Sequence, residues 1–600
     1  MASTVRIGGA GAGYGDGTMA APRLLLDGAL DYIIFDYLSE YFMPIAGRMR
    51  QQDPTSGYAV DFPEGQFAAI LPDLLARGVK LVSNVGAVNP HGCAAAMRAA
   101  AERLGYAPRI AVVEGDDLLA RADDLRAAGR LRDAPAGGTG YTGINAYIGA
   151  FPIARALAMG ADIVVTGRVV DSALVLGPLI HTFGWQPDDY DALAAGSVIG
   201  HLLECGAQAS GGLFTDWREI GDYADIGYPI AECRPDGTAI ITKPPGSGGL
   251  VSVGTVSEQL LYEIGDPRCY RLPDVTVDFS DVRIEQVGPD QVEVSQARGR
   301  SPGDALKAIA TWDDGWLASW GFVVRGPDAA DKARAVAQSV LKRGAAMLRD
   351  RNMPALRNSR VEMIGDEESY GAEARPRNPR EIFCRVTVEA ETPAVIALLM
   401  REHGTAAVSM VPGIAGSSLI SPVSPMARSE AFMLPAAEVS VTVSLEDRGE
   451  TIAPFAHRPA PPPSPPPPLP ALPAVPDATC ALGALAWVRS GDKGDACNIG
   501  VVARRRDYLP YIAAALDEVT VARRYAHMFR AGAGAVHVYY LPGSTSLNLM
   551  LEGALDGGCT VSLRFDPFGK GAAQDILDLP VPVPEALVPP IETSGLESER

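Results

Sequence analysis

The apolar positions of this chain fall into three successive patterns, each of which marks a different kind of unit. Over the first 250 residues, short unbroken apolar runs at 79–85, 109–114 and 162–166 alternate with stretches of helical spacing at 93–104 and 146–159. Runs that do not alternate belong to strands buried on both faces, and their separation by helices predicts a parallel sheet with crossover helices. From about residue 257 the pattern shifts to strand-like segments at 275–279, 292–295 and 383–389, with an amphipathic, charged helix at 329–349, which predicts an α+β subdomain. After residue 477, five strand-like stretches (485–489, 499–504, 536–541, 546–551 and 560–565) accompany a helix at 511–516 or 522–529. These predict a small α+β sandwich.

Proline sets the boundary between the last two units. Eleven of the eighteen residues from Pro459 to Pro476 are proline, and such a run settles into extended polyproline II and acts as a semi-rigid spacer. The expected division is an α/β domain at 1–255, an α+β subdomain at 256–456, a proline-rich linker at 457–477, an α+β domain at 478–579 and a frayed tail at 580–600. The overall class is α/β.

Charge and cysteine content narrow the function. Lys and Arg number 52 against 72 Asp and Glu, a net charge of −20, which opposes nucleic acid and anionic membrane surfaces. No apolar run reaches the ~18 residues of a spanning helix, and the N-terminus lacks the plan of a signal peptide. The eight cysteines are spread singly without a CxxC pair, against a disulfide framework or structural zinc site. A cytoplasmic protein with reduced thiols is expected.

Candidate chemistry gathers where strands end. The glycine-rich stretch 8–17 follows the first strand, but no start places glycines at the first, third and sixth positions of a dinucleotide fingerprint. Gly11, Gly13 and Gly15 can still offer bare backbone N–H groups to an anion, with Asp16 able to move a proton. The plainer reading is a set of tight turns. The segment 83–93 holds Asn84, Asn89, His91 and Cys93 at the end of a strand, where open α/β sheets bind ligands. His91 is a candidate acid or base, and Cys93, at a helix start, a candidate nucleophile; capping and loop roles are the alternative. In 160–172 a strand ends in Thr166-Gly167-Arg168 with Asp171 three residues on. Arg168 suits a carboxylate or phosphate, and Asp171 suits orienting it or acting as base; an Arg–Asp pair holding a helix start is the alternative. His201 and Cys205 lie four apart and are weak metal candidates, an ordinary buried pair being favoured. Lys243 sits in the loop 242–249, fit for an anion contact or a plain turn. In the C-terminal unit Arg489, Asp492, Lys493 and Asn498 form a polar loop able to face an anionic ligand. GxSxG, HExxH and kinase signatures are absent, and no cofactor is expected.

Taken in order, segments 8–17, 57–62, 83–93, 160–171, 200–206, 242–249, 255–262 (TVSEQLLY) and 270–278 (YRLPDVTVD) resemble the acyclic terpene utilisation family, AtuA type. Segment 487–500 resembles the ferredoxin-like domain that some members carry. The resemblance implies catabolism of acyclic terpenes or branched acids, alongside biotin-dependent acyl-CoA carboxylases, and assigns no catalytic residue. Two functions follow: a hydratase, lyase or isomerase-type enzyme moving protons on a branched or isoprenoid acyl-CoA thioester, or a non-catalytic partner of an acyl-CoA carboxylase. The clustering at strand ends favours the enzyme. A homo-oligomer is expected.

Overall fold

The computed structural model describes residues 4–131, 140–375, 377–453, 459, 461–530 and 534–590, leaving aside the side chains of 407 and 417–419. Its first strands are β1 (Val5–Ala12), β2 (Tyr32–Asp36), β3 (Lys80–Ser83), β4 (Ile110–Glu114), β5 (Tyr141–Ala146) and β6 (Ile163–Thr166). Strands β1, β2, β3, β6 and β4 lie side by side in that order, every pairing parallel. Alternate residues feed two cores. Ile33, Phe35, Leu81 and Val165 enter one with the helices Ala20–Asp27, Ala68–Arg77 and Pro90–Arg103, and Ile34, Val82 and Val164 enter the other with Phe151–Ala158, Ala173–Phe183 and Tyr190–Leu203. Burial on both faces is why these strands read as unbroken apolar runs.

Gly8, Gly9 and Gly11 belong to β1 itself, and Gly13, Gly15 and Gly17 to the turn that follows it. A Cβ at Gly9 would lie 2.3 Å from the Leu203 carbonyl oxygen. Glycine therefore lets the end of helix Tyr190–Leu203 close onto the strand, which sets Glu204 and Cys205 beside the strand's carboxyl end.

The sheet crosses the expected boundary at 255/256. Its parallel centre is extended on one side by Ile230–Cys233, Ala239–Thr242, Gln291–Ser295 and Arg283–Gly288, and on the other by Val441–Leu445 and Arg448–Ile452, all antiparallel. A division at 255 thus cuts one eleven-stranded sheet, because free sheet edges recruit strands from distant sequence. A second sheet forms around the long strand Ala305–Arg325, which pairs with Glu381–Ala390, Ile414–Ile420, Ser424–Pro435 and β5. The helix Ala329–Asp350 packs on it over Trp320, Phe322 and Val388.

The C-terminal unit is an antiparallel sheet in the order Ala486–Lys493, Ala496–Ala503, Ser546–Glu552, Ala535–Leu541, covered by Leu509–Ala515 and Glu518–Arg524. Residues 560–565 are not a strand. Their polar groups are committed elsewhere: the Leu563 carbonyl accepts from Arg385 at 2.9 Å, and Arg564 binds Asp556 and the Met528 carbonyl, both at 2.7 Å. Nor does the chain fray from residue 580, since Pro580–Val583 pairs with Ala478–Ala481 and buries Val581 and Val583. The rest of the expected tail, 591–600, lies outside the described residues, as do 457, 458 and 460 of the linker. The linker's described part lies along the body: Pro462 O accepts from Arg300 at 2.6 Å and Ser464 Oγ donates to Asp278 at 2.7 Å. All eight cysteines are free thiols. Among the described residues no helix is long and apolar enough to cross a membrane.

Candidate functional site

The carboxyl ends of β1, β2 and β6 open into a cavity of about 1020 Å³ that also takes walls from residues 262–273, 302–307, 431–433 and the C-terminal domain. Ligands in open α/β sheets sit at such strand ends. The position of Arg168 follows from the local sequence. Its backbone N–H donates to Asp116 at 2.9 Å, and a Cβ at Gly167 would lie 2.2 Å from Asp116 Oδ1, so only glycine fits before it. The almost fully buried guanidinium donates to the Leu38 carbonyl at 3.1 Å and to Asp171 at 2.9 Å, and lies 4.2 Å over the Tyr147 ring. Tyr147 Oη donates to Glu40 at 3.1 Å, and Lys307 Nζ stands 3.8 Å from the same carboxylate. Burial acts to raise the Glu40 pKa, but Lys307, Arg168 and Lys493 outweigh it and hold it at about 2.

Three other carboxyls in the cavity move the opposite way. Burial, reinforced by Asp171 for both, by Glu204 for Asp36 and by Glu263 for Glu204, pushes Asp36 and Glu204 well above the ordinary carboxyl range. Asp492 is pushed up to about 8 by burial and by Glu263 and Glu40. Glu204 Oε1 stands 3.0 Å from His201 Nδ1, and burial lowers the imidazole to about 4, so the ring is neutral at pH 7. The cavity therefore holds carboxyls raised by burial beside cations, with apolar walls that include Phe279, Leu306 and Phe432.

Of the residues singled out in the sequence, Gly13, Arg168, Asp171, His201, Cys205, Asp492 and Lys493 line this cavity. Asn84 stands one step behind it: its amide donates to Asp36 at 2.6 Å and accepts from the Tyr37 N–H at 2.8 Å, which fixes the Asp36 carboxyl. Asn498 likewise holds the cavity segment that carries Glu263, accepting from the Glu263 N–H at 2.9 Å. Arg489 lies 4.4 Å over the Tyr262 ring and donates to Gln208 at 2.5 Å.

The remaining candidates are placed elsewhere, each by ordinary structural chemistry. Asp16 folds back on the turn that holds Gly15, accepting from the Ala12 and Gly17 N–H groups at 2.8 and 2.7 Å. Gly11 packs inside β1 against Phe35. Asn89 caps the helix Pro90–Arg103 through the Gly92 N–H and ties down the carbonyls of residues 54–56. Cys93 is fully buried against Met97, and burial pushes its thiol up, the reverse of a nucleophile's shift. Thr166 donates to the Gly167 carbonyl at 2.8 Å, and Lys243 locks its own loop through the Ser247 carbonyl at 2.8 Å and Asp290 at 3.2 Å. His91 is exposed and 3.0 Å from Glu114. His91→Ala should accordingly leave turnover unchanged and shift stability by less than about 0.5 kcal/mol; a measured loss of turnover would return His91 to the site. His201 pairs with Glu204, and among the described residues no cluster of His, Cys, Asp and Glu side chains is arranged to hold a metal ion.

Sequence reasoning missed Asp36, Glu40, Tyr147, Glu204, Lys307 and Lys570. Asp36 had a signal: like Arg168, it is a charge at the end of an unbroken apolar strand (YIIFD).

The buried carboxyls also set a pH response. Burial pushes Asp116 up to about 7, Asp274 to about 6 and Glu258 to about 8. A carboxyl in the unfolded chain ionises at about 4. Between the unfolded and folded values the native state holds more protons, so their contribution is full below about pH 4 and is lost as pH rises through the folded values. The histidines that burial shifts down (His181, His201, His403, His527) oppose this only below about pH 7, where the unfolded chain protonates them. The melting temperature should therefore fall between pH 7 and 8.5. A flat or rising profile there would mean these groups ionise normally.

Comparison with known proteins places the chain. The family described as "Acyclic terpene utilisation family protein AtuA" matches residues 5–445, and the "AtuA ferredoxin-like domain" matches residues 480–582. No curated protein matches. Among solved structures, a hydantoinase/carbamoylase family amidase from Burkholderia ambifaria aligns at 16% identity over 21% of this chain and 30% of its own, with a TM-score of 0.12, too low to bear on fold or function. With its α/β sheet and its second domain both accounted for, the chain belongs to the acyclic terpene utilisation family, AtuA type, and carries that family's ferredoxin-like domain at residues 480–582.

Proposed function

We propose that this protein is an enzyme that moves protons on a branched or isoprenoid acyl-CoA thioester, in hydratase, lyase or isomerase-type chemistry. The observation that supports it most is the meeting, in one cavity of about 1020 Å³, of carboxyls raised by burial, Asp492 to about 8, with buried cations. Proton transfer beside a carbonyl needs an acid or base whose pKa lies near the working pH and a fixed positive or donor group where oxygen gains charge. Asp492, pushed up to about 8, suits the first, and Glu204, raised by burial and set by His201, is a second candidate; Arg168, held by Asp171 and Tyr147, suits the second. Asp36, fixed by Asn84, is a further proton store. Apolar side chains such as Phe279, Leu306 and Phe432 give an acyl chain a dry wall.

The test is mass spectrometry of the protein incubated with branched CoA thioesters, saturated and α,β-unsaturated. Gain of water, cleavage of the acyl chain or a shifted double bond is the expected result. Complete recovery of every thioester would overturn the reading and favour the carboxylase partner, for which a pull-down is the next step. That alternative gains less from the structure, because the proline stretch is held against Arg300 and Asp278 rather than extended as a docking arm.

A further inference from the structure

Three buried or cavity-lining cations of the main body, Arg168, Lys307 and Lys243, have carboxylate partners, whereas Arg271 at the cavity edge has none among the described residues. Arg168 has Asp171 at 2.9 Å, Lys307 has Glu40 at 3.8 Å and Lys243 has Asp290 at 3.2 Å. The two cavity lysines of the C-terminal domain differ. Lys493 Nζ lies 3.3 Å from Tyr270 Oη and 5.5 Å from that ring's centre, and Lys570 Nζ donates to Tyr262 Oη at 2.6 Å with the Tyr262 and Phe568 rings 5.1 and 5.8 Å away. Among the described residues neither has a carboxylate at ion-pairing distance. Glu263 and Glu40 face Lys493 from farther off. Asp492, the chain neighbour of Lys493, is pushed up to about 8 and so adds no full negative charge beside it at neutrality.

Two ammonium groups facing one cavity repel each other, and a phenol oxygen accepts only one of the three N–H bonds each carries. The phenols and the Asp492 carboxyl add O–H donors to the same wall. At the two lysine ends the groups within hydrogen-bond distance are phenols rather than carboxylates, and ammonium donors with N–H bonds to spare are what an anion requires. We infer that Lys493 and Lys570, with Tyr270, Tyr262 and Asp492, form a subsite for a carboxylate or phosphate group of the ligand, assembled only when the C-terminal domain is docked on residues 262–270. The inference deepens the proposed function and rests on the cavity being the substrate site, but its test reads binding alone.

Inorganic phosphate and glutarate are each titrated calorimetrically into the full-length protein in Tris chloride. At least one should bind saturably, and Lys493→Gln and Lys570→Gln should each weaken it by about tenfold or more, as loss of a charge-assisted hydrogen bond does. Lys342→Gln, on the exposed face of helix Ala329–Asp350, should bind as the parent does. Phosphate alone binding identifies a phosphate-bearing ligand end, and glutarate alone a carboxylate. Binding by neither anion, or undiminished binding in both glutamine variants, overturns the subsite. Should the lysine variants misfold, Tyr262→Phe with Tyr270→Phe removes only the hydroxyls, and an unchanged affinity there overturns it equally. A failure of thioester turnover leaves the titration intact, and a failed titration leaves turnover to be judged separately.

Discussion

If the proposed thioester chemistry holds, Glu204→Gln is expected to lower kcat by about 10²-fold or more, the range that a positioned general acid or base contributes, while the fold is kept. Glutamine preserves the shape of the side chain and a hydrogen bond to His201 Nδ1, now 3.0 Å from Glu204 Oε1, but cannot exchange a proton. Burial and Asp171 oppose the charge on Glu204, so a neutral amide in its place should leave the melting temperature unchanged or raise it. The pH profile carries the sharper signature. The limb that Glu204 sets should vanish from kcat in the glutamine variant, whereas the limb that Asp492 sets, at about 8, should persist. Turnover within tenfold of the parent would remove Glu204 from the chemistry and leave Asp492 or Asp36 as the proton carrier.

Residues that act where the chain's own pattern places them are readable from that pattern. Arg168 and Asp171 stand at the end of a strand whose four residues are all buried, so apolar periodicity alone is enough to locate them. The same logic applied to Tyr32–Asp36 finds Asp36. Lys307, Tyr262, Tyr270 and Lys570 carry no such signal. Lys307 reaches the cavity because the 21-residue strand Ala305–Arg325 pairs with the distant β5, Lys570 because a second domain docks, and Tyr262 and Tyr270 because the segment after helix Val253–Leu261 forms a wall; sequence periodicity is silent on all three. The misplaced candidates have a common cause. In Asn89-Pro90-His91-Gly92-Cys93 the asparagine before a proline is a helix cap followed by its first residue. A segment that spends its polar groups on capping has none left to offer a ligand. The subdomain boundary failed for a related reason, since edge strands such as Val441–Leu445 join a sheet by backbone pairing, which side-chain patterns do not encode.

Docking of the C-terminal domain depends on two buried amides, and removing them should separate binding from folding. Asn498 donates to the Leu261 carbonyl at 2.6 Å and to Asn548 at 3.0 Å while it accepts from Glu263; Asn548 donates to the carbonyls of Ile264 and Gly265 at 3.1 and 2.8 Å. Both side chains are fully buried. They hold a backbone that would not hold itself, because Glu263 sits at φ +56°, a left-handed conformation that costs a non-glycine residue about 1–2 kcal/mol. Asn498→Ala orphans the Leu261 carbonyl and the Glu263 N–H, each worth about 1–3 kcal/mol when left buried and unpaired. The first thermal transition should fall by several degrees, and substrate KM should rise as Glu263, Tyr262 and Lys493 lose their mutual register. Because Asn498 and Asn548 touch, the double alanine variant should cost less than the two singles added together, by at least about 0.5 kcal/mol. Strict additivity would mean that the two amides clamp independently. A single variant that melts and binds as the parent does would show that the domain is held instead by the Asp216–Arg504 ion pair and the exchange of hydrogen bonds between Thr215 and Val488.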